Sequence, residues 1–370
     1  MKLSNKKLLI INLPPPYGGG EMLNQLLLEH FGNKSDYQVI DIGKSKQKKK
    51  QQGRVNLPNI LYAFYSSVKV TYHIARYKPS LIYFLIPKSF GAFVKTVPII
   101  LLCDYFGIYS IGSLEGNGFY FLDSKSNFKQ KTGASLLNKI KKIRVLGEGI
   151  ARNLTKYNIN NTVIVPNGVN IPSYLIKKRE IENCSGTIRF LYVGVLSEFK
   201  GISFLINSFI KLLSIRKDIE LHLIGEWYSK DLQKKLLSKI EKCNLSDHFF
   251  FYGIQHNEKK WELFEQMNIY IHLSKLDGQP LSILEAMGCG MPIISTKVGA
   301  IPETVIDNYN GILLDNYDST KIIEIIQLYV ENRALIVAHS ENSVKRFNEI
   351  YTSSKFLERM ENLFNENVLE

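Results

Sequence analysis

Residues 273–304, LSKLDGQPLSILEAMGCGMPIISTKVGAIPET, decide the fold that we predict for the whole chain. Gly278 and Pro280 mark a tight loop, and Pro280 is well placed at the start of the helix that follows, Ser282–Met287. The β-branched run Ile293–Thr296 has the length of a buried strand, and a second glycine-bearing loop leads into another helix. This order of strand, loop and helix predicts an α/β fold with a parallel sheet.

The first of these loops has the features of an anion site. Backbone N–H groups and the positive end of the helix dipole meet where a glycine-bearing loop enters a helix. A pyrophosphate is expected on the amides of roughly Gly278 to Ser282, between the carboxylates of Asp277 and Glu285, which would accept hydrogen bonds from hydroxyls. The alternative is an ordinary α/β crossover with a solvated Asp and Glu.

The pattern D-x7-E followed by AMGCGMP resembles the E-x7-E signature of the retaining GT-B glycosyltransferases of family four, the glycosyl transferases group 1. Asp277 stands where that family has a Glu, so the carboxylate is kept but is shorter by one methylene. The resemblance implies that Glu285 holds ribose hydroxyls, that Asp277 holds donor-sugar hydroxyls, and that amides near Leu281 receive the charge of the β-phosphate.

A second loop, GVLSEFKG at 194–201, resembles the G-R-L-x-x-x-K-G element of the same family. Lys200 matches the Lys that neutralises the donor pyrophosphate, whereas Val195 replaces the Arg. Gly253, at a strand end, resembles the turn whose backbone contacts the nucleotide base. The alternative for Lys200 is a surface-loop lysine.

The N-terminal half carries weaker signals. The segment PPPYGGG, residues 14–20, resembles the family loop that reaches toward donor and acceptor, and the alternative is a generic first βα turn. Glu115 stands where the family has a His beside the reacting sugar, so it is predicted to accept a proton from, or orient, the acceptor hydroxyl. It could equally be a loop Glu.

The candidate site predicted from these motifs has two groups of residues. The catalytic candidates are Glu115, Lys200 and Asp277. The donor-binding candidates are Gly18, Gly19, Gly194, Lys200, Gly253, Asp277, Gly278, Gln279, Pro280, Leu281, Ser282 and Glu285. The sequence contains no D-x-D, and His256 and His272 have no metal-ligand spacing and are interpreted as core or surface histidines, so neither a metal nor a cofactor is expected.

The 370-residue length suits two domains. We predict an acceptor-binding Rossmann-like domain over 1–170, a linker over 171–186 and a nucleotide-sugar-binding Rossmann-like domain over 187–350. The last helix, within 351–370, resembles the family helix that crosses back to the first domain. The resemblance also implies that both doubly wound domains face a cleft.

Charge divides the chain unevenly. Residues 1–170 carry 24 Lys and Arg against 8 Asp and Glu, whereas residues 171–370 carry 23 against 26. This asymmetry indicates an anionic partner for the first half. The basic run Lys44–Arg54 lacks interleaved aromatics and no nucleic-acid motif is present, so an anionic membrane surface is favoured over nucleic acid. The alternative is a solvated lysine-rich loop.

Other features predict a cytoplasmic protein. The four cysteines have no metal or redox spacing. The apolar run near the N-terminus is too short for a signal peptide, and Ala92–Leu114 is interrupted by Lys95, Pro98 and Asp104, so no membrane span is expected. Attachment to the inner face of the plasma membrane would be peripheral.

The resemblance implies a retaining, metal-independent hexosyltransferase. It would move a hexose or N-acetylhexosamine from a nucleotide sugar, with UDP-sugars favoured, to a sugar or lipid-linked glycan in surface polysaccharide assembly, such as capsule or lipopolysaccharide. Two alternatives stay open: a nucleotide-sugar 2-epimerase on the same fold, and a non-catalytic nucleotide-sugar-binding subunit.

Overall fold

The structure is a computed structural model, and the parts of the chain that it describes are residues 6–15, 18–43, 57–177 and 186–365, without the side chains of 57–64. The predicted basic run Lys44–Arg54 lies outside the described residues. The chain forms two compact units. The first comprises Met1–Gly168 with Ser353–Glu370, and the second comprises Val169–Thr352.

The first unit is built on a six-stranded parallel sheet with the order β2-β1-β3-β4-β5-β6. Its strands are β1 (Lys7–Ile11), β2 (Tyr37–Asp41), β3 (Leu81–Leu85), β4 (Tyr109–Ser113), β5 (Lys142–Val145) and β6 (Thr162–Ile164). The chain direction across the sheet reverses between β1 and β3, which is the flavodoxin-like type of doubly wound sheet.

Helices connect these strands: α1 (Gly19–Phe31), α2 (Leu57–Tyr77), α3 (Phe90–Phe93), α4 (Val97–Phe106), α5 (Asn127–Leu137) and α6 (Glu148–Thr155). Helix α1 begins at Gly19, because Gly18, with extended backbone, is its N-cap. Pro98 lies in the first turn of α4, where a proline removes no intrahelical hydrogen bond. The 3-10 turn Val94–Thr96 separates α3 from α4.

The second unit has a six-stranded parallel sheet with the order β12-β11-β10-β7-β8-β9. Its strands are β7 (Ile188–Val193), β8 (Ile219–Ile224), β9 (Phe249–Gly253), β10 (Ile269–His272), β11 (Ile293–Thr296) and β12 (Gly311–Leu314). In chain order this is the 3-2-1-4-5-6 arrangement of dinucleotide-binding sheets, with the reversal between β7 and β10.

Both faces of this second sheet are covered by helices: α7 (Ile202–Leu213), α8 (Lys230–Lys242), α9 (Asn257–Gln266), α10 (Leu281–Gly288), α11 (Ile301–Thr304), α12 (Ser319–Glu331) and α13 (Arg333–Arg346). Along β7, Phe190 and Tyr192 enter one apolar core while Leu191 enters the other. A strand whose alternate side chains are all buried must be covered on both faces, which explains the continuous apolar runs of the sequence.

The last helix, α14 (Ser353–Asn365), returns to the first unit and packs on α1. The Phe364 ring lies 5.3 Å from that of Phe31 and 5.5 Å from that of Tyr83, and Glu361 accepts a 2.6 Å hydrogen bond from Lys34. The predicted pair of doubly wound α/β folds and the returning C-terminal helix are confirmed. In the described parts of the chain, no helix is both long enough and apolar enough to cross a bilayer.

Candidate functional site

The second unit places two predicted loops side by side at its topological reversal. The loop 194–201 follows β7, and the loop 273–280 follows β10, its neighbour in the sheet. Lys275 N donates to Phe199 O at 2.9 Å, and a Cβ on Gly201, whose φ is +73°, would lie 1.8 Å from Leu273 O. Because ligands of open α/β sheets bind outside the carboxyl ends of the strands at this reversal, the two loops mark the candidate site.

Lys200 and Asp277 meet between these loops. The Lys200 Nζ forms an ion pair with Oδ2 of Asp277, and the two side chains are 28% and 18% exposed. The sequence analysis predicted that both residues lie beside the donor diphosphate. The structure brings them together although 77 positions separate them in the chain. A cation and a carboxylate therefore share one partly buried position at the reversal.

His272 is a third member of this cluster that the sequence interpretation missed. This histidine is buried, as the sequence interpretation allowed, but its Nε2 lies 2.9 Å from the same Asp277 Oδ2, a contact that was not predicted. The side chain is 2% exposed and stacks nearly parallel to the rings of Tyr192 and Tyr270. Its Nδ1 has no hydrogen-bond partner among the described residues, which fits a ring that carries its proton on Nε2 and donates to Asp277.

These neighbours control the charge of Asp277. Burial by itself raises the pKa of this carboxyl, but the hydrogen bond from His272 and the charge of Lys200 outweigh burial and hold the pKa well below its usual range. Asp277 is therefore a carboxylate at neutral pH, with the capacity to accept further hydrogen bonds from hydroxyl groups.

Helix α10 begins directly after this carboxylate, with Pro280 as its N-cap. An α-helix leaves its first amides without intrahelical partners, so Leu281 and Ser282 provide N–H groups at the positive end of the helix. Tyr270, buried beneath them, donates from its hydroxyl to Ser282 Oγ at 2.7 Å. Burial raises the pKa of Tyr270, so this phenol remains protonated and acts as a fixed donor.

The loop before α10 is locked by a second glycine-bearing loop. A Cβ on Gly299 would lie 2.1 Å from Asp277 O and 2.4 Å from Gly278 O, and the φ of Gly299 is +58°, so only glycine fits. Ala300 N donates to Gly278 O at 2.8 Å. The Gln279 side chain donates to Thr304 at 2.9 Å and is buried, so it secures the loop.

Glu285 lies on α10 and forms an ion pair that the sequence did not predict. Lys260 of α9 places its Nζ 2.6 Å from Glu285 Oε1, and the side chains are 18% and 14% exposed. The same ammonium lies 4.6 Å from the ring centre of Trp261. No motif or spacing in the sequence connects Lys260 to the signature, so only the fold reveals this pair.

The predicted glycines of the second unit follow adjacent strands. Gly194 follows β7 and donates from N to Ile224 O of β8 at 2.9 Å, while Gly225, just after β8, donates to Gly253 O of β9 at 2.8 Å. Gly253 has a φ of +66°, and a Cβ there would meet no atom within 4 Å. Backbone is thus accessible at the carboxyl end of β9, where base contacts were predicted.

The remaining candidates belong to the first unit. Gly18 and Gly19 begin α1, after β1, which lies at the reversal of the first sheet. Glu115 follows β4 and accepts hydrogen bonds from Arg144 Nη1 at 2.6 Å and from Ser113 Oγ at 2.8 Å.

Arg144 is fully buried and explains the position of Glu115. Its other donors reach Asn167 Oδ1 at 2.6 Å and Val165 O at 3.0 Å, and the guanidinium lies over the Phe356 ring. A buried guanidinium requires a counter-ion, so Glu115 has a structural role in the first unit that the sequence did not predict. Its predicted role toward an acceptor hydroxyl remains a prediction.

The sequence of this chain is similar to those of known glycosyltransferases. The family model described as glycosyl transferases group 1 matches residues 173–346. An uncharacterised glycosyltransferase of Methanocaldococcus jannaschii is 30% identical over 189 residues, which are 50% of this chain and 47% of that protein. The poly(ribitol-phosphate) α-N-acetylglucosaminyltransferase of Staphylococcus aureus is 28% identical over 232 residues, 62% of this chain and 44% of that protein.

Solved structures match over greater length but with lower identity. The crystal structure of Anabaena HepE in complex with UDP has a TM-score of 0.76 and 16% identity, and the match covers 98% of this chain and 100% of that chain. At this identity the likeness shows the fold alone. The two sequence relatives, in contrast, are matched over less than half of their own lengths.

Proposed function

We propose that this chain, whose residues 173–346 match the family model of the glycosyl transferases group 1, is a retaining glycosyltransferase. It transfers a hexose or N-acetylhexosamine from a nucleotide sugar to a sugar or lipid-linked glycan acceptor and takes part in the assembly of a surface polysaccharide. The observation that carries the proposal is the meeting of Lys200 with Asp277 at the start of α10.

In the proposed complex the diphosphate of the donor lies on the amides of Leu281 and Ser282. Lys200 leaves Asp277 and pairs with the β-phosphate, where it stabilises the charge that develops as the glycosidic bond breaks. His272 keeps its hydrogen bond to Asp277, which is then available to the donor-sugar hydroxyls. Glu285, held by Lys260, accepts hydrogen bonds from the ribose hydroxyls.

The proposed reaction retains the configuration of the anomeric carbon. The departing phosphate oxygen lies on the same face of the sugar as the incoming acceptor hydroxyl and takes its proton, so no protein base is required. The proposed route therefore does not depend on Glu115, which pairs with the buried Arg144. The charge on the leaving group is balanced by Lys200 and the helix amides, so we expect turnover without a divalent metal.

The donor and acceptor classes are proposed from the relatives. HepE was crystallised with UDP, which favours a UDP-sugar. The relative from S. aureus is named for transfer of N-acetylglucosamine to poly(ribitol-phosphate), which favours a surface polymer as acceptor.

The first experiment identifies the donor. A thermal-shift screen of UDP-, GDP- and ADP-sugars should show one class that raises the melting temperature. Labelled donor of that class is then incubated with acceptor glycans, with and without EDTA, and the anomeric configuration of the product is determined by NMR. We expect transfer with retention that EDTA does not abolish.

Variants test the site. Lys200→Ala and Glu285→Ala should each lower kcat/KM by about tenfold or more, which corresponds to about 1.4 kcal/mol. Lys321→Ala is the matched control, because Lys321 forms an exposed ion pair with Glu324 on α12. Interconversion of a UDP-sugar without acceptor would favour an epimerase, and binding without turnover would favour a binding subunit. Unchanged kinetics in both folded variants would refute the site.

A further inference from the structure

The first unit exposes an unusual helix face. On α2, the side chains of Tyr65, Val68 and Tyr72 are 62%, 52% and 58% exposed. Their i, i+3, i+7 spacing places them in one stripe along the helix, opposite the buried Val70 and Ile74. Outward positions of a helix normally carry charged or polar side chains, whereas this stripe is aromatic and aliphatic.

The neighbouring helix repeats the pattern. On α4, Leu101 and Tyr105 are 45% and 83% exposed and lie one turn apart. Helices α2 and α4 contact each other, and right-handed crossovers from β2 to β3 and from β3 to β4 put them on the same side of the sheet. We call the surface formed by Tyr65, Val68, Tyr72, Leu101 and Tyr105 the α2/α4 face.

The charge around this face is mainly positive, and Asp104, which lies on α4 beside Tyr105, forms an ion pair with Lys139. From Ile42 to Cys103 the sequence contains eleven Lys and Arg and no Asp or Glu. Five of these cations lie in the described parts of the chain. Three of the five are exposed: Arg76 and Lys78 at the end of α2 and just after it, and Lys95 just before α4. A surface that combines apolar side chains, tyrosines and positive charge is complementary to an anionic bilayer, where tyrosine favours the headgroup level and Lys and Arg pair with phosphates.

We propose that the α2/α4 face docks the protein on an anionic lipid surface. The helices lie on the membrane and do not span it: the tyrosines and Leu101 enter the headgroup region while Arg76 and Lys95 contact lipid phosphates. A second copy of the chain is a poorer occupant because it would bring like charges together, and nucleic acid would leave Val68 and Leu101 without apolar partners. This inference concerns lipid binding alone and does not depend on the proposed transfer reaction.

Vesicle binding tests the inference directly. The full chain is sedimented with phosphatidylcholine vesicles and with vesicles that also contain phosphatidylglycerol. We expect binding only to the anionic vesicles, and weaker binding as salt is raised. The double variant Tyr65→Ser with Tyr72→Ser and the double variant Arg76→Glu with Lys95→Glu should each lower the partition coefficient by about tenfold or more.

The matched control is Tyr174→Ser, because Tyr174 belongs to the second unit and is 61% exposed, like Tyr65. It should bind vesicles as the wild type does, and every variant should keep its melting temperature and its affinity for UDP. The proposal is wrong if the wild type does not bind anionic vesicles, if it binds neutral ones equally, or if the tyrosine variant is unimpaired. It is equally wrong if sedimentation velocity shows that the wild type is a dimer and that the tyrosine variant is a monomer. If neither the wild type nor any variant binds UDP, the proposed function is contradicted, while the proposal of vesicle binding still stands.

Discussion

Replacing Asp277 with Asn should strengthen the binding of free UDP and abolish sugar transfer. Without donor, the Lys200 ammonium is paired with Asp277, and this pair must open before the ammonium reaches a phosphate. The pair is partly buried, with side-chain exposures of 28% and 18%. Breaking it should therefore cost a free energy between the about 0.2–1 kcal/mol of exposed pairs and the several kcal/mol of buried pairs. Releasing about 1 kcal/mol tightens UDP binding roughly fivefold.

Lys200→Met should have the opposite effect. It removes a charge-assisted hydrogen bond to the diphosphate, of about 1.5–3 kcal/mol, and raises the Kd for UDP about 10- to 150-fold. In the Lys200→Met background no ion pair remains to be released, so Asp277→Asn should lose most of its benefit, and the double-mutant cycle should show coupling. Isothermal titration calorimetry with UDP measures all four proteins, and Lys321→Met is the control.

The test is decisive because Asp277→Asn and Lys200→Met are predicted to change the affinity for UDP in opposite directions. Transfer assays should show loss of turnover in Asp277→Asn despite tighter UDP, because Asp277 is proposed to hold the donor sugar and not the phosphates. Weaker UDP binding in Asp277→Asn than in wild type would refute the proposal that Lys200 is shared between the carboxylate and the diphosphate.

Three further results are expected. Glu115→Ala should lower the free energy of unfolding by about 3 kcal/mol, because it leaves the buried Arg144 without a counter-ion; an unchanged urea midpoint with lost activity would instead support a role in the reaction. Gly299→Ala should lower the melting temperature and weaken UDP binding, since its Cβ would collide with Asp277 O, whereas Gly91→Ala meets no atom and is the control. Because the pKa of Asp277 is lowered, its stabilisation should be constant above about pH 4 and diminish only below it; urea titrations of wild type and Asp277→Asn that already converge between pH 7 and pH 5 would contradict this.

Much of the fold followed from short-range patterns. Continuous apolar runs and glycine-bearing loops predicted doubly wound α/β folds, since parallel strands buried on both faces need helices on each side of the sheet. The meeting of Lys200 with Asp277 followed as well, because the carboxyl ends of parallel strands all lie at one edge.

The partners of the site residues did not follow from the sequence. His272 on Asp277, Lys260 on Glu285 and Arg144 on Glu115 are side-chain pairs between different elements or across a turn. Such pairs depend on which rotamers the surrounding packing permits, and the periodicity of the sequence does not predict rotamers. The contact of His272 with Asp277 was missed because metal spacing was the only signal sought, although the histidine lies at the end of β10, five residues before the carboxylate.

Close main-chain packing at three glycines helps hold the loops of the second unit against one another. Gly201 abuts the Leu273 carbonyl, Gly225 that of Gly194, and Gly299 that of Asp277, in each case with no space for a Cβ. The architecture of the pocket is thus separable from the chemistry of the groups that line it. Libraries that randomise lining side chains while these three glycines are preserved should yield altered sugar preference with few unfolded members, which makes the unit a suitable scaffold for directed evolution.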